Sequence, residues 1–112
     1  MTAENHFTEG LTMAERFSIL ERIAGLTANL GLVASRRGQT SLAIHRLSTA
    51  FAHADAQGNR YLAVQIRLWL VPLLPPAEAQ VCLAEAHIIA ESSGYHRLLD
   101  EAARLEIQLV SA

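Results

Sequence analysis

The side chains of this chain that are best suited to chemistry are histidines and a single cysteine, and they are widely spaced. His45 and His53 lie eight residues apart, which is about 12 Å along a helix and too far for both to bind one metal ion. Two other histidines each precede a carboxylate by four residues, a spacing that allows a weak ion pair or two ligands of a metal site. These pairs are His87 with Glu91 and His96 with Asp100. No third ligand accompanies either pair, so we expect surface pairs and no bound metal.

No catalytic arrangement is evident around the other candidate residues. Cys82 falls at the edge of an apolar helical stripe, which is typical of a small buried side chain rather than a nucleophile. Serine, histidine and aspartate do not recur in a catalytic order, and no glycine-rich phosphate loop follows a strand. We therefore expect a protein that is not an enzyme and has no cofactor.

Composition indicates helices and excludes several classes of partner. Of the 112 residues, 51% are hydrophobic but only 5% aromatic, which favours closely packed Ala/Leu-rich helices over sheets. The formal net charge is -2, and the nine cations include no lysine, so a nucleic-acid-binding surface is not expected. The longest apolar run, Leu68 to Leu74, is too short to cross a membrane, and the first ten residues do not resemble a signal peptide. These features predict a cytoplasmic protein without a membrane partner.

Apolar residues at spacings of three and four predict an all-α chain of five helices. Residues 1–11 lack a period and are expected to be a flexible segment, followed by one helical domain over 12–112. Thr12 and Glu15 fit a capping box at its start, and the first helix is expected to continue through Gly25. The predicted helices are 13–37, 40–57, 60–71, 76–93 and 96–110, the last starting at Tyr95 or His96.

The second and fourth helices match when the sequence is shifted by 36 residues. Their matching positions are Ala43 and Ala79, Leu47 and Leu83, Ala50 and Ala86, Ala54 and Ala90, and Gly58 and Gly94. The first, third and fifth helices align by character under the same shift. Such a period is typical of stacked helical hairpins, each burying a face on the next.

One of these hairpins resembles a tetratricopeptide repeat. The resemblance rests on Asn29-Leu30-Gly31, then Gly38, then Ala43, Leu47 and Ala50, with a closing phrase from Ala54 to Asn59. It is closest to the longer repeats of bacterial signalling and transcription-activator proteins. Three positions depart from the family pattern: Thr27, Ala34 and Leu47 stand where it favours aromatic residues. The resemblance implies a superhelix of about two and a half repeats.

The same resemblance implies that the first helix of each hairpin lines a concave binding groove. Asn29 stands where the family often uses an amide to bind a ligand's main chain, and Gln65 is its counterpart. The predicted partner-binding residues are Ala28, Asn29, Leu32, Arg36, Tyr61, Val64, Gln65, Leu68, Val71 and Arg104. The expected function is a non-catalytic module that binds a protein or peptide segment in this apolar groove.

A second hypothesis is that the apolar face mediates self-association instead. In that alternative the chain is a structural domain whose homodimer buries the side chains of Leu32, Val64, Leu68 and Val71. The same four side chains could instead pack within the chain, against the long first helix. Exposed edges in an array of few repeats favour such association.

Overall fold

A computed structural model describes residues 20–111 of the chain, and all of its regular structure there is helical. The helices are α1 (Leu20–Arg36), α2 (Thr40–Ala56), α3 (Arg60–Leu70), α4 (Pro76–Ser93) and α5 (His96–Ser111), with a 3₁₀ turn at Val71–Leu73. The prediction of an all-α chain of five helices is therefore confirmed for this range. The expected flexible segment, the capping box at Thr12 and the start of the first helix lie outside the described residues.

The chain divides into two compact units, Met1–Ala63 and Val64–Ala112. In the first unit, α1 packs along α2. The helix α1 passes through Gly25 without a break, as expected. At Gly31 the two helices come so close that an added Cβ would lie 2.8 Å from Leu47 Cγ. A glycine is needed here because any side chain would overlap the core of α2.

The alanine and leucine stripe of α2 forms the buried face of that helix. Its four members, Ala43, Leu47, Ala50 and Ala54, are fully buried. From α1, the buried side chains include Leu30, Val33 and Ala34. Small side chains let two helix backbones approach closely, so the contact between α1 and α2 depends on the proximity of their backbones.

The second unit buries one continuous hydrophobic cluster. It joins residues of α3, α4 and α5, and α4 also packs against the 3₁₀ turn. The cluster contains Val64, Leu68, Val71, Ala79, Leu83, Ala86, Ala90, Leu98 and Ala102. The four α4 positions in it follow the α2 stripe at the predicted shift of 36 residues.

Three of the helix connections share one backbone geometry, and each contains a glycine in the left-handed region. The φ angles are 74° at Gly38, 70° at Gly58 and 72° at Gly94. In each turn the amide of the residue after the glycine donates to a carbonyl five residues back: Gln39 to Ala34, Asn59 to Ala54 and Tyr95 to Ala90. This is the Schellman pattern, and it satisfies carbonyls that the helix end leaves open. These three glycines therefore serve the architecture of the turns.

The remaining connection, between α3 and α4, depends on proline. Pro72 lies inside the 3₁₀ turn, and Pro76 is the first residue of α4. Proline has no amide to donate, so it ends α3 at Leu70 and is tolerated at the start of α4. The predicted helix end near residue 71 and start at residue 76 agree with these bounds.

Candidate functional site

The ten predicted groove residues separate into buried and accessible side chains. Ala28, Val64 and Leu68 are each 1% exposed and Val71 is 2% exposed. Such side chains offer no surface to a partner, and the expectation that they line an open groove has to be corrected. Val64, Leu68 and Val71 belong to the hydrophobic cluster of the second unit, which explains their burial.

In the first unit, the accessible members lie along α1 and at the start of α3. Asn29 and Arg36 are exposed on α1, and Leu32 is half-buried between them. Tyr61, in the first turn of α3, is 40% exposed. Asn29, Leu32 and Arg36 are separated by three and four residues, so they share one face of α1. This face combines an amide, an apolar side chain and a cation.

In the second unit, the structure connects one predicted residue to an acidic neighbour. The Nε2 atom of Gln65 on α3 donates to Glu101 on α5, at 3.3 Å from Oε1 and 3.1 Å from Oε2. Both side chains are half-buried, and Arg104 is exposed one turn further along α5. The contact was not predicted from the sequence. Gln65 and Glu101 nevertheless lie 36 residues apart, so they occupy matching positions under the 36-residue shift, and stacked repeats would bring such positions close together.

A second polar cluster joins α4 to α5 around His87. Its Nε2 lies 3.4 Å from Glu91 Oε2, and its Nδ1 lies 3.1 Å from Glu106 Oε1, without the alignment of a hydrogen bond. The predicted pair of His87 with Glu91 is therefore present, on a surface that is partly exposed. Within residues 20–111, no group of three or more histidine, cysteine or acidic residues is arranged to hold a metal ion.

Cys82 is half-buried and its thiol Sγ donates to the main-chain oxygen of Arg67 at 3.3 Å. Burial raises the pKa of this thiol, with an opposing effect from the Arg67 cation and a supporting one from the Glu85 carboxylate. Arg67 in turn donates from Nη1 to Glu85, tying α3 to α4. A protonated thiol that donates to a carbonyl is a weak nucleophile, because the thiolate is the reactive form.

An apolar surface that was not predicted from the sequence lies on α5. Ile107 is 67% exposed and Val110 is 88% exposed. With Ala103 and Glu106 they line an open recess, and Val110 also borders a second recess together with Leu83 and Leu109. The spacings of four and three residues from Ala103 to Ile107 to Val110 could have revealed this stripe, since they place all three on one face.

Comparison of the chain with protein-family models, with curated proteins and with solved structures finds no match. Across the helices that the structure describes, none combines the length and the apolar character that a membrane crossing requires.

Proposed function

We propose that this chain is a non-catalytic interaction module built from tetratricopeptide-like repeats. The observation that carries the proposal is the recurrence of structure at 36 residues. Thr40 and Pro76 begin α2 and α4, and Arg60 and His96 begin α3 and α5, each pair 36 residues apart. The buried stripes of α2 and α4 recur at the same interval. Regular recurrence of helix starts and buried faces supports a helical repeat array.

The partner in this proposal is a protein or peptide segment, and each unit offers accessible side chains of its own for binding it. In the first unit these are Asn29, Leu32, Arg36 and Tyr61. In the second unit they are Gln65 and Arg104. Amide side chains both donate and accept hydrogen bonds, which suits recognition of a peptide main chain. The apolar part of the surface is smaller than the sequence indicated, so the proposed recognition is largely polar.

The experiment is a selection of peptides from a random nine-residue display library on the full chain, followed by affinity measurement with the selected peptides. Asn29→Ala combined with Leu32→Ala should weaken binding by at least about tenfold, which corresponds to about 1.4 kcal/mol. Ser41→Ala combined with Ser48→Ala is the matched control, because both serines are exposed on α2. If both double variants bind like the parent chain, α1 is not part of the binding surface.

Self-association is a second candidate, and the exposed α5 stripe is the observation that favours it. Three of the four residues expected at a dimer interface are buried within the second unit, whereas Ile107 and Val110 are exposed. A two-fold contact needs a surface that complements itself. The small Ala103 one turn from the large Ile107 meets this requirement, because each Ile107 can pack over the partner copy's alanine.

Solution mass tests this second candidate directly. The chain should sediment as a dimer at high micromolar concentration, and Ile107→Glu should convert it to a monomer. Val81→Glu is the control, because Val81 is 60% exposed on α4 and lies outside the stripe. A parent chain that stays monomeric throughout the concentration range would exclude self-association through α5.

A further inference from the structure

The hydrogen bonds between Gln65 and Glu101 fix the orientation of an amide in the proposed binding surface. An ionised carboxylate can only accept hydrogen bonds, so the group of Gln65 that faces Glu101 must be its nitrogen. The two distances, 3.1 and 3.3 Å, show that Nε2 approaches both carboxylate oxygens. The carbonyl oxygen Oε1 of Gln65 is then left to accept from another donor, and no described residue donates to it.

Glu101 has no cationic partner among the described residues. Its hydrogen-bond donor is a neutral amide, and among residues 22–110 no arginine or histidine forms an ion pair with it. Arg97 and Arg104 lie four residues before and three residues after Glu101 on the same helix, both are exposed, and neither forms an ion pair with it. A half-buried carboxylate without a cationic partner attracts a positive charge more strongly than a fully solvated carboxylate does.

We propose that Gln65 and Glu101 together select a peptide partner that carries a basic side chain beside a main-chain N–H. In this inference, which rests on the proposed function, the N–H donates to Gln65 Oε1 and the arginine or lysine pairs with Glu101. Glu101 has two effects: it holds the amide of Gln65 in the accepting orientation, and it supplies the charge that recognises the cation. The same carboxylate repels an acidic segment or a terminal carboxylate at this position.

The test compares the peptides selected by the parent chain and by three variants from the same nine-residue random library. The parent chain should enrich arginine or lysine at one position of a shared motif. Glu101→Gln keeps the size and a hydrogen-bond acceptor but removes the charge, so it should lose that basic preference. Glu101→Arg should replace the basic preference with an acidic one. Glu78→Gln removes an exposed carboxylate of α4 and should leave the preference unchanged.

Affinities of individual peptides give the magnitude. Replacing the selected arginine by the neutral citrulline should weaken binding to the parent chain by about ten- to a hundredfold, the range for a hydrogen bond to a charged group. With Glu101→Gln the same replacement should change affinity less than threefold. Circular dichroism of each variant, measured against the parent spectrum, separates a change of preference from a loss of fold.

Each result decides the inference. A parent motif without a basic residue, or a basic preference that persists in Glu101→Gln, would overturn the assignment to Glu101 while leaving the interaction module in place. Should no library sequence be enriched by any form of the chain, the proposed function itself would be wrong, and this inference would be rejected along with it.

Discussion

Substitution by alanine should have opposite effects on stability at two glycines of α1, Gly25 and Gly31. A Cβ on Gly25 has no heavy atom within 4 Å, whereas a Cβ on Gly31 would lie 2.8 Å from Leu47 Cγ, 3.1 Å from Cδ2 and 3.2 Å from the main-chain nitrogen. Alanine is the better helix former by about 1 kcal/mol at an interior position. Gly25→Ala should therefore raise the free energy of unfolding by about 1 kcal/mol.

Gly31→Ala gains the same helix propensity but loses more through overlap. The nearest atom is the branch carbon of Leu47, which is fully buried, so the side chain cannot simply swing away. The close main-chain nitrogen means that α2 itself would have to shift. Overpacking of this kind costs about 1–3 kcal/mol. Because the propensity gain is common to both variants, the difference in stability between them measures the overlap alone and should equal about 1–3 kcal/mol in favour of Gly25→Ala.

Urea unfolding followed by far-ultraviolet circular dichroism can resolve this difference. With a denaturant slope of about 2 kcal/mol per molar, a difference of about 2 kcal/mol separates the two midpoints by about 1 M. If Gly31→Ala proves as stable as Gly25→Ala, then α1 and α2 are not in contact at Leu47 and the packing of the first unit is incorrect.

Three further predictions concern the turns and the second unit. Gly94→Ala should lower the free energy of urea unfolding by about 1 kcal/mol, because the left-handed backbone is strained for alanine even though an added Cβ meets no neighbour. Gly94→Asn should lower it less. Equal stability of the parent chain and both variants would contradict the turn assignment. Burial raises the pKa of the Cys82 thiol above its ordinary value. The folded chain therefore holds the thiol proton more tightly than the unfolded chain, so stability should be unaffected at neutral pH and should fall as the pH rises through the ordinary pKa of a thiol. Cys82→Ala should remove this dependence from the urea-unfolding free energy. Arg67→Ala and Glu85→Ala should show a coupling energy of about 0.2–1 kcal/mol in a double-mutant cycle, as expected for a partly exposed ion pair. A coupling energy of zero would show that this pair does not stabilise the contact between α3 and α4.

The periodic features of the fold could be predicted from the sequence because local chemistry determines them. Left-handed turns require glycine at Gly38, Gly58 and Gly94, and the α2 stripe recurs in α4 at the shift that the sequence shows. Asn59 stands directly before α3 and belongs to a residue type favoured at helix N-caps, and its Oδ1 accepts from the amide of Leu62 at 3.2 Å. Glycine conformation and capping each depend on a few neighbouring residues, so the sequence contains the information needed.

The accessible surface could not be predicted in the same way. Periodicity shows which residues share a helix face, but it does not show how many faces of that helix are covered. On α3, Val64 and Leu68 were expected to face a groove and Ile66 was not, yet all three are buried. Only the positions of the other helices determine this, and those depend on contacts distant in sequence. The interval of 36 residues between Gln65 and Glu101, in contrast, could have indicated their contact.

The matching turns at Gly58 and Gly94 also bear on how such a chain can grow. Arg60 and His96 each begin a helix two residues after a left-handed glycine. The segment 60–95 therefore begins at a helix start and is followed by an equivalent helix start. A tandem duplication of this segment would meet a matching glycine and a matching helix start at both of its junctions. The gene could therefore lengthen in steps of 36 codons, with no new turn having to evolve.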